Sequence, residues 1–194
     1  MSAKVKWPVQ AVLLTVLLMA SCATPWVESG EDEDVPLTAV GYVDLNRYMG
    51  RWYLIANIPY FAERGNLAPY VEYSLRKDGV IDDRYTALSG FDQEPFVKNG
   101  YIEILNPITN AEGRITFLPP IWQEYSVLYL DDDYKYSMIG HPTRNYCWVF
   151  SREPSMPDEI YHAMLAVLAA NRFDTRRVLR IPHHPEQLGL PGYQ

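Results

Sequence analysis

The sequence contains little cysteine and an excess of negative charge. Only two of its 194 residues are cysteine, and 24 Asp and Glu residues outnumber 17 Lys and Arg residues, which gives a net charge of −7. An acidic chain without basic runs argues against a nucleic-acid-binding protein, because phosphate recognition needs clustered positive charge. We therefore expect no nucleic acid among its partners.

The sequence motifs of several enzyme classes are also missing. The chain has no Gly-rich phosphate loop, no G-x-S-x-G, no H-E-x-x-H and no C-x-x-C. We therefore assign no catalytic residue and expect the protein not to be an enzyme.

Residues that could hold a metal ion are scattered. His141 lies in a predicted turn, His162 on the polar face of a predicted helix, and His183 and His184 in a C-terminal tail. The acids at 131–133 lack the glycine and the spaced ligands of a calcium loop. A metal site at the paired histidines would need a third ligand, so a solvent-exposed tail is the better interpretation. We predict no metal and no cofactor.

The sequence has one long apolar run, at residues 9–20. It is about 12 residues long, whereas a bilayer-spanning helix needs about 20. Lys4 and Lys6 precede it, and a basic segment followed by a short apolar one is typical of a secretory signal peptide. We therefore predict that residues 1–21 are a signal peptide and not part of the fold.

Small residues at the end of this segment precede a cysteine. Ala20 and Ser21 lie directly before Cys22, which is similar to the lipobox of bacterial lipoproteins, with Met19 in the place usually held by leucine. The resemblance implies cleavage after Ser21 and lipidation of Cys22, and several acyl chains anchor a protein stably where one does not. Ala23, in place of an aspartate, favours the outer membrane, on its periplasmic side. The alternative is an ordinary signal peptide followed by a coincidental cysteine.

A polar segment separates this cysteine from the rest of the chain. Residues 22–41 contain proline, glycine, serine and five acids between Glu28 and Asp34. Such a composition is typical of a solvated linker. We predict a flexible acidic tether.

The remaining chain alternates in the manner of β-strands. Trp52, Leu54, Ala56 and Ile58 share one face of the first run, and Lys77-Asp78-Gly79 is a strong hairpin signal between the next two. Five further runs follow, at 96–105, 113–118, 125–130, 134–139 and 146–151. Consecutive antiparallel strands must avoid exposed edges, so the prediction is an all-β fold with an eight-stranded antiparallel up-and-down barrel.

One helix and one short strand complete the predicted fold. Ser155 is a candidate N-cap, Pro157 suits a first turn, and apolar residues then recur along one face as far as Phe173. We predict one C-terminal α-helix packed on the flank of the barrel. Residues 176–181 are predicted as a ninth strand.

Three stretches resemble the signatures of the lipocalin family. These are "YMGRWYLIANIPYFAERG" with Gly50 and Trp52, "LDDDYKYSMIG" with Asp133 and Tyr134, and "YCWVFSREP" with Arg152. The resemblance covers residues 42–182, leaves 183–194 as a tail, and is strongest to the bacterial outer-membrane members. It implies that Trp52 closes the narrow end of the barrel with Arg152 packed over its ring, and that Gly50 leaves room for the chain crossing that end.

The resemblance also implies a ligand cavity lined by the inward faces of the strands. The candidate ligand-binding residues are Ala56, Ile58, Val71, Tyr73, Leu75, Asp83, Tyr85, Ile102, Ile104, Ile115, Phe117, Val127, Tyr129, Tyr136, Met138, Trp148 and Phe150. Alternation alone does not separate a hollow barrel from a filled one, and only the family resemblance favours a hollow barrel. Asp83 is either an inward acid near a polar head group or a residue misplaced by one position that faces solvent.

The function implied by the resemblance is binding of small hydrophobic or amphiphilic ligands in the bacterial cell envelope, with transport as a further role. Fatty acids and lysophospholipids are the suggested classes, and the protein would be a monomer or homodimer held to the membrane by its acylated N-terminus. The alternative is an epoxidase- or isomerase-like enzyme on the same scaffold, which needs an inward acid–base pair. A tetrapyrrole binder would need an axial histidine, and no histidine lies on a predicted inward face.

The predicted anchor is tested by replacing the cysteine that would carry it. Cys22→Ser should give an uncleaved precursor, or a mature protein without lipid mass, because the acceptor thiol is gone. Intact-protein mass spectrometry of membrane and soluble fractions measures both. A wild-type protein that is soluble and unmodified in the periplasm would show that the anchor is absent.

Overall fold

The computed structural model describes residues 35–194. The predicted signal peptide, the lipidation site Cys22 and most of the predicted tether lie outside the described residues. Within residues 35–194, no helix is both long and apolar enough to cross a membrane.

Nine antiparallel strands form one sheet. They are β1 (Gly50–Ile58), β2 (Leu67–Leu75), β3 (Ile81–Leu88), β4 (Phe96–Ile104), β5 (Glu112–Leu118), β6 (Ile121–Leu130), β7 (Tyr136–Gly140), β8 (Cys147–Ser151) and β9 (Leu179–Arg180). Strands β2 to β8 are neighbours in chain order, and β1 pairs with both β8 and β2, so eight strands close into a barrel. Strand β9 pairs with β1 outside this circle. The predicted barrel is confirmed, as is the ninth strand, although it is shorter than predicted.

Local turn chemistry fixes the first hairpin of the barrel. Arg76 N donates to the carbonyl of Val80 (2.8 Å), and Gly79 has φ +88°, a conformation that glycine adopts without steric cost. The predicted turn between β2 and β3 is therefore confirmed. Since the strands run up and down, this turn lies at one end of the barrel, and the loop that joins β1 to β2 lies at the other, which we call the mouth.

The helix α2 (Asp158–Ala170) covers one flank of the barrel, as predicted. Its buried residues Tyr161, Met164 and Leu168 pack in one cluster with residues from the outer faces of β1, β6, β7 and β8. The predicted N-cap is wrong: Pro157 occupies the cap position without a side-chain hydrogen bond, because Ser155 lies two residues too early.

The N-terminal segment joins the barrel before residue 42, where the domain was predicted to begin. Thr38 N donates to Oδ1 of Asn171 (2.7 Å), and Val40 N donates to the carbonyl of Val127 (2.8 Å). These bonds tie the last residues of the predicted tether to the barrel and to the end of α2.

A bulge in β1 reverses the faces of its last residues. The register with β8 shifts between Leu54 and Ala56, and an extra residue moves all later side chains to the other face. Trp52 and Leu54 belong to the interior cluster, whereas Ala56 and Ile58 pack against α2. The prediction that Ala56 and Ile58 line the interior is therefore wrong.

The predicted faces of two later strands are wrong for related reasons. The β6 register with β7 shifts between Val127 and Tyr129, so Val127 stays in the interior while Tyr129 packs on the α2 side. Tyr136 and Met138 of β7 also lie on that side. The residues that alternate with them along the strand are the ones that face the interior.

The end opposite the mouth is closed by Trp52 and a short helix, α1 (Leu45–Tyr48), which the sequence analysis missed. Trp52 is completely buried and its Nε1 donates to the Tyr48 carbonyl (2.7 Å). The guanidinium carbon of Arg152 lies 3.8 Å from the centroid of the Trp52 ring, and its nitrogens donate to the carbonyls of Arg51 (2.7 Å) and Arg47 (2.8 Å). The contact implied by the resemblance is present.

Of the other signature residues, Tyr134 and Gly50 contribute to the closed end and Asp133 does not. Tyr134 accepts a hydrogen bond from Asp44 N on its hydroxyl (2.8 Å), whereas Asp133 is exposed and pairs with Lys135 (3.1 Å). Gly50 has φ +90°, and the nearest atom to a Cβ built there is Nη1 of Arg152 at 3.5 Å. Glycine is therefore needed at position 50 for its backbone conformation more than for the expected space.

A double-mutant cycle tests the contact between Trp52 and Arg152. Trp52→Ala should lower the free energy of unfolding by about 3–5 kcal/mol, as for other buried aromatic residues. Arg152→Ala should cost less, and the double variant should lose less than the sum, because either change removes the same contact. Urea unfolding measures all four proteins.

The matched control pairs Trp52→Ala with Arg176→Ala, whose side chain is 89% exposed and bound only to Asp174. Those two changes should be additive. Additivity in the Trp52–Arg152 cycle as well would contradict a stabilising contact.

Candidate functional site

The interior of the barrel is almost filled by side chains. Its one notable cavity among the described residues has a volume of about 30 Å³ and lies toward the closed end. It is lined by Val43, Leu45, Tyr48, Met49, Tyr73, Ile81, Ile102, Ile104, Asn110, Ile115, Tyr125, Val127 and Ile139. Such a space holds one or two water molecules. In this conformation the filled alternative, and not the hollow one, describes the barrel.

Ten of the predicted ligand-binding residues do face this interior. They are Val71, Tyr73, Asp83, Tyr85, Ile102, Ile104, Ile115, Val127, Trp148 and Phe150. Leu75 and Phe117 are 37% and 44% exposed and lie near the ends of their strands. A ligand-binding role for the ten interior residues stays a prediction.

Tyrosine hydroxyls give the apolar interior a polar component. Burial raises the pKa of Tyr48 to about 12, and it raises the pKa of Tyr73 and of Tyr125 further still. All three are therefore neutral near pH 7. The Tyr48 hydroxyl shares a hydrogen bond with Ser137 Oγ (2.8 Å), and its ring lies nearly parallel to that of Tyr73 at 5.9 Å.

Asp83 is a buried acid that pairs with no cation in the part of the chain that the structure describes. It alternates with the interior residues Ile81 and Tyr85 on β3, is 2% exposed, and its Oδ1 has no hydrogen-bond partner. Burial, and then the charge of Glu63, raise the pKa of Asp83 to about 8. The inward interpretation of Asp83 is confirmed, and the solvent-facing one is wrong.

A glycine lies beside Asp83 on the neighbouring strand. Asp83 pairs in register with Gly100 of β4, and a Cβ on Gly100 would lie 2.8 Å from the ring of Phe117. Glycine at position 100 thus lets the Phe117 ring pack directly on the backbone beside the acid.

A second carboxyl enters the barrel from the loop at the mouth. Glu63 ends a short 3₁₀ helix (Phe61–Glu63), and its oxygens accept hydrogen bonds from Trp148 Nε1 (2.9 and 3.1 Å) and Asn57 Nδ2 (3.1 Å). Burial raises the pKa of Glu63 above its ordinary value, and these hydrogen bonds oppose the rise. The sequence gives no signal for this role, because a charged residue in a loop normally indicates a solvated position.

Further contacts hold this mouth loop, residues 59–66, over the barrel. Asn66 Nδ2 donates to the Tyr85 hydroxyl (2.9 Å). The C-terminal residue Gln194 donates from Nε2 to Oδ1 of Asn57 (2.6 Å), and its Oε1 accepts from Gly65 N (3.4 Å). The mouth is therefore covered by the loop, and the tail fixes the loop from outside.

The predicted solvent-exposed tail is wrong for His183. Its side chain is buried and Nε2 lies 3.0 Å from the carbonyl oxygen of Leu54. Burial lowers the pKa of His183, which favours the neutral ring. The carbonyl at the β1 bulge supplies the partner that the sequence alone did not reveal.

The pH dependence of stability tests the protonated state of Asp83. Its folded pKa of about 8 lies above its unfolded value, so the folded protein keeps a proton that the unfolded chain releases between about pH 4 and 8. The free energy of unfolding should therefore fall as pH rises through this range, by up to about 1.4 kcal/mol per pH unit from this group. Asp83→Asn should flatten that slope, as measured by urea unfolding from pH 5 to 8.

Glu63 contributes a slope of the same sign in both proteins, and Tyr73 and Tyr125 stay protonated throughout, so the difference belongs to Asp83. Glu159→Gln on the exposed face of α2 is the control and should keep the wild-type slope. Parallel slopes for wild type and Asp83→Asn would show that Asp83 is ionised in the folded protein.

The fold and sequence both match known proteins. A family model described as "Lipocalin-like domain" matches residues 43–183. "Outer membrane lipoprotein Blc" of Escherichia coli K12 is 31% identical over 175 residues, which cover 89% of this chain and 94% of the relative. "Temperature-induced lipocalin-1" of Arabidopsis thaliana is 28% identical over 158 residues, covering 77% of this chain and 84% of that protein.

Among solved structures, insecticyanin from the tobacco hornworm Manduca sexta superposes with a TM-score of 0.62 at 18% identity. The match covers 78% of this chain and 87% of insecticyanin, and it shows a shared fold. The family match over most of the barrel, with the closed-end residues in place, establishes the family: the chain belongs to the lipocalins.

Proposed function

We propose that this lipocalin is a membrane-anchored carrier that binds one single-chain hydrophobic or amphiphilic ligand inside its barrel, in the bacterial cell envelope. Fatty acids and lysophospholipids are the classes that the family resemblance suggests. The relatives named as outer membrane lipoproteins and the lipobox-like sequence before Cys22 support acylation at that residue and an outer-membrane location.

The order of polarity along the barrel axis carries this proposal. Isoleucines, valines and the neutral tyrosines Tyr48, Tyr73 and Tyr125 line the cavity at the closed end. Asp83 follows toward the mouth, and Glu63 lies at the mouth. An amphiphile has the same order, with an apolar chain and a polar head. A site of this kind binds such a molecule with its chain toward Trp52 and its head toward the mouth.

Binding requires the interior to open, because a cavity of about 30 Å³ does not hold an alkyl chain. The mouth loop is the element that has to move, since it is held mainly by hydrogen bonds to Trp148, Asn57 and Tyr85. The ring of Tyr60 also contacts that of Tyr146, with 5.5 Å between the centroids. Each methylene that enters contributes about 0.8 kcal/mol. Ten methylenes contribute about 8 kcal/mol, which equals the free energy of micromolar binding before association and rearrangement costs. Contacts of the head group therefore have to offset those costs.

An enzyme on the same scaffold is the second candidate, because the structure brings a second acid, Glu63, toward Asp83. The carrier is favoured by how these groups are held. Oδ1 of Asp83 has no partner, and Glu63 is bound by Trp148 and Asn57, so neither carboxyl is oriented by a base or activates a nucleophile.

Titration with single-chain lipids tests the carrier. Added dodecanoate or lysophosphatidylcholine should change the tryptophan fluorescence of the delipidated mature protein, saturate near one ligand per chain and raise the melting temperature. Ile115→Phe adds bulk at the closed end and should weaken binding about ten-fold or more, because the ring takes the space of the chain.

The matched control is Ile55→Phe, the same change on the α2 side of the barrel. It should leave the affinity of the folded protein within about two-fold of wild type. Equal losses in both variants would place the ligand elsewhere. Absence of binding by any amphiphile would contradict the carrier.

A further inference from the structure

The interior carries two carboxyl groups and no cation that pairs with them. Among the residues that the structure describes, neither Asp83 nor Glu63 forms an ion pair, and Oδ1 of Asp83 has no hydrogen-bond partner although the residue is 98% buried. An unpaired buried acid lowers stability. Its presence in a ligand-binding barrel calls for a partner that arrives with the ligand.

The nearest cations of the protein are occupied elsewhere. Lys98 lies at the mouth, exposed, with Nζ 3.4 Å from the carbonyl of Ala62. Arg152 lies at the closed end, where its nitrogens bind backbone carbonyls and its plane covers Trp52. Burial raises the pKa of Glu63, and the charge of Lys98 opposes that rise. Neither cation forms an ion pair with Asp83, and within residues 35–194 no other cation does so.

We propose that the barrel selects amphiphiles whose head group is a primary ammonium, and that Asp83 and Glu63 receive that head. This inference rests on the proposed carrier function and names the chemistry of its ligand. An ammonium has three N–H donors and no acceptor, which matches the free Oδ1 of Asp83 and the oxygens of Glu63. A fatty-acid carboxylate at the same place would lie next to Asp83, whereas Lys98, which pairs in register with Tyr85, lies nearer the mouth.

Aromatic rings around the acids support a cationic head. Tyr73 and Tyr85 flank Asp83 on the inner wall, the first across the strand pair and the second on the same strand, and Trp148 holds Glu63. The faces of these rings attract a cation, and the attraction grows when water is excluded. Charge and ring faces therefore favour the same class of head group.

The ammonium position fits the direction of the chain. Asp83 lies between Ile81, which lines the closed-end cavity, and Tyr85, which hydrogen-bonds to the mouth loop. A head at Asp83 directs its chain toward Ile81 and Trp52. The arriving ammonium ionises Asp83, whose proton passes to water, so a buried ion pair replaces a buried neutral acid. Glu63, which is part of the mouth loop, completes the contact when the loop is closed.

Four amphiphiles of equal chain length separate this inference from the carrier function. The probes are dodecylamine, dodecyltrimethylammonium, dodecanol and dodecanoate, titrated below micelle formation into the delipidated mature protein in buffer with physiological salt, by calorimetry. Dodecylamine should bind at least ten-fold more tightly than dodecanol. Dodecanoate should still bind, as the carrier function requires, but most weakly of the four. The trimethylated probe, which has the charge without N–H donors, should fall between dodecylamine and dodecanol.

Two variants assign the preference to the acids. Asp83→Asn should remove most of the dodecylamine preference, at least ten-fold, and leave dodecanol binding unchanged. Glu63→Gln keeps the acceptor for Trp148 and should reduce the preference by a smaller factor. Glu159→Gln on the outer face of α2 removes a surface charge and should have no effect, which separates a local head-group site from general attraction to an acidic protein.

Equal affinity for dodecylamine and dodecanoate, or a preference that survives Asp83→Asn, would overturn the ammonium site while the carrier function stands. A protein that binds none of the four, dodecanol included, would overturn the carrier function and this inference together.

Discussion

Packing of Arg152 over Trp52 is the interaction on which the rest of this structure depends. Side-chain packing closes the barrel at this end, whereas a loop covers the mouth. Trp52 fills that end without any exposed surface, and Arg152 links β8 to the carbonyls of β1 and α1 while covering the ring. Because this end is closed, the interior is entered from the mouth. Its side chains become more polar from the closed end toward the mouth.

The site follows from that closure. Apolar residues and three neutral tyrosines line the cavity at the closed end, Asp83 lies farther toward the mouth, and Glu63 belongs to the mouth loop. Glu63, on the inside of the loop, and Gln194, on its outside, both hydrogen-bond to Asn57. These bonds hold the loop in place. Because these contacts are hydrogen bonds near the surface, the loop is the part of the barrel whose opening costs the least free energy. The filled interior of this conformation and a carrier function are therefore compatible.

The sequence analysis predicted the elements well and their faces less well. Strand runs, the Lys77-Asp78-Gly79 turn and the late amphipathic helix are local features, so they are readable from one chain. Ala56, Ile58 and Tyr129 were misplaced because a bulge adds one residue without changing the apolar pattern. Met138 was misplaced because α2 covers the outside of β7, so both faces of that strand are apolar.

Other residues of the site depend on contacts between distant parts of the chain. Glu63 and His183 are 120 residues apart in sequence, and both look solvent-exposed until the fold supplies Trp148 for one and the Leu54 carbonyl for the other. No local pattern marks such a role. Asp83, by contrast, was found by simple alternation from Ile81 to Tyr85, because β3 carries no bulge against either neighbour over that stretch.

The most direct test of the central claim, that the closed-end interior receives the chain of an amphiphile, is nuclear magnetic resonance of the protein with labelled isoleucine methyl groups and a bound dodecyl probe. Contacts between the methylenes of the probe and the methyl groups of Ile102 and Ile115, with none to Ile55 or Ile58 on the α2 side, are the predicted result. Contacts confined to the α2 side, or to exposed isoleucines such as Ile108 and Ile121, would contradict it.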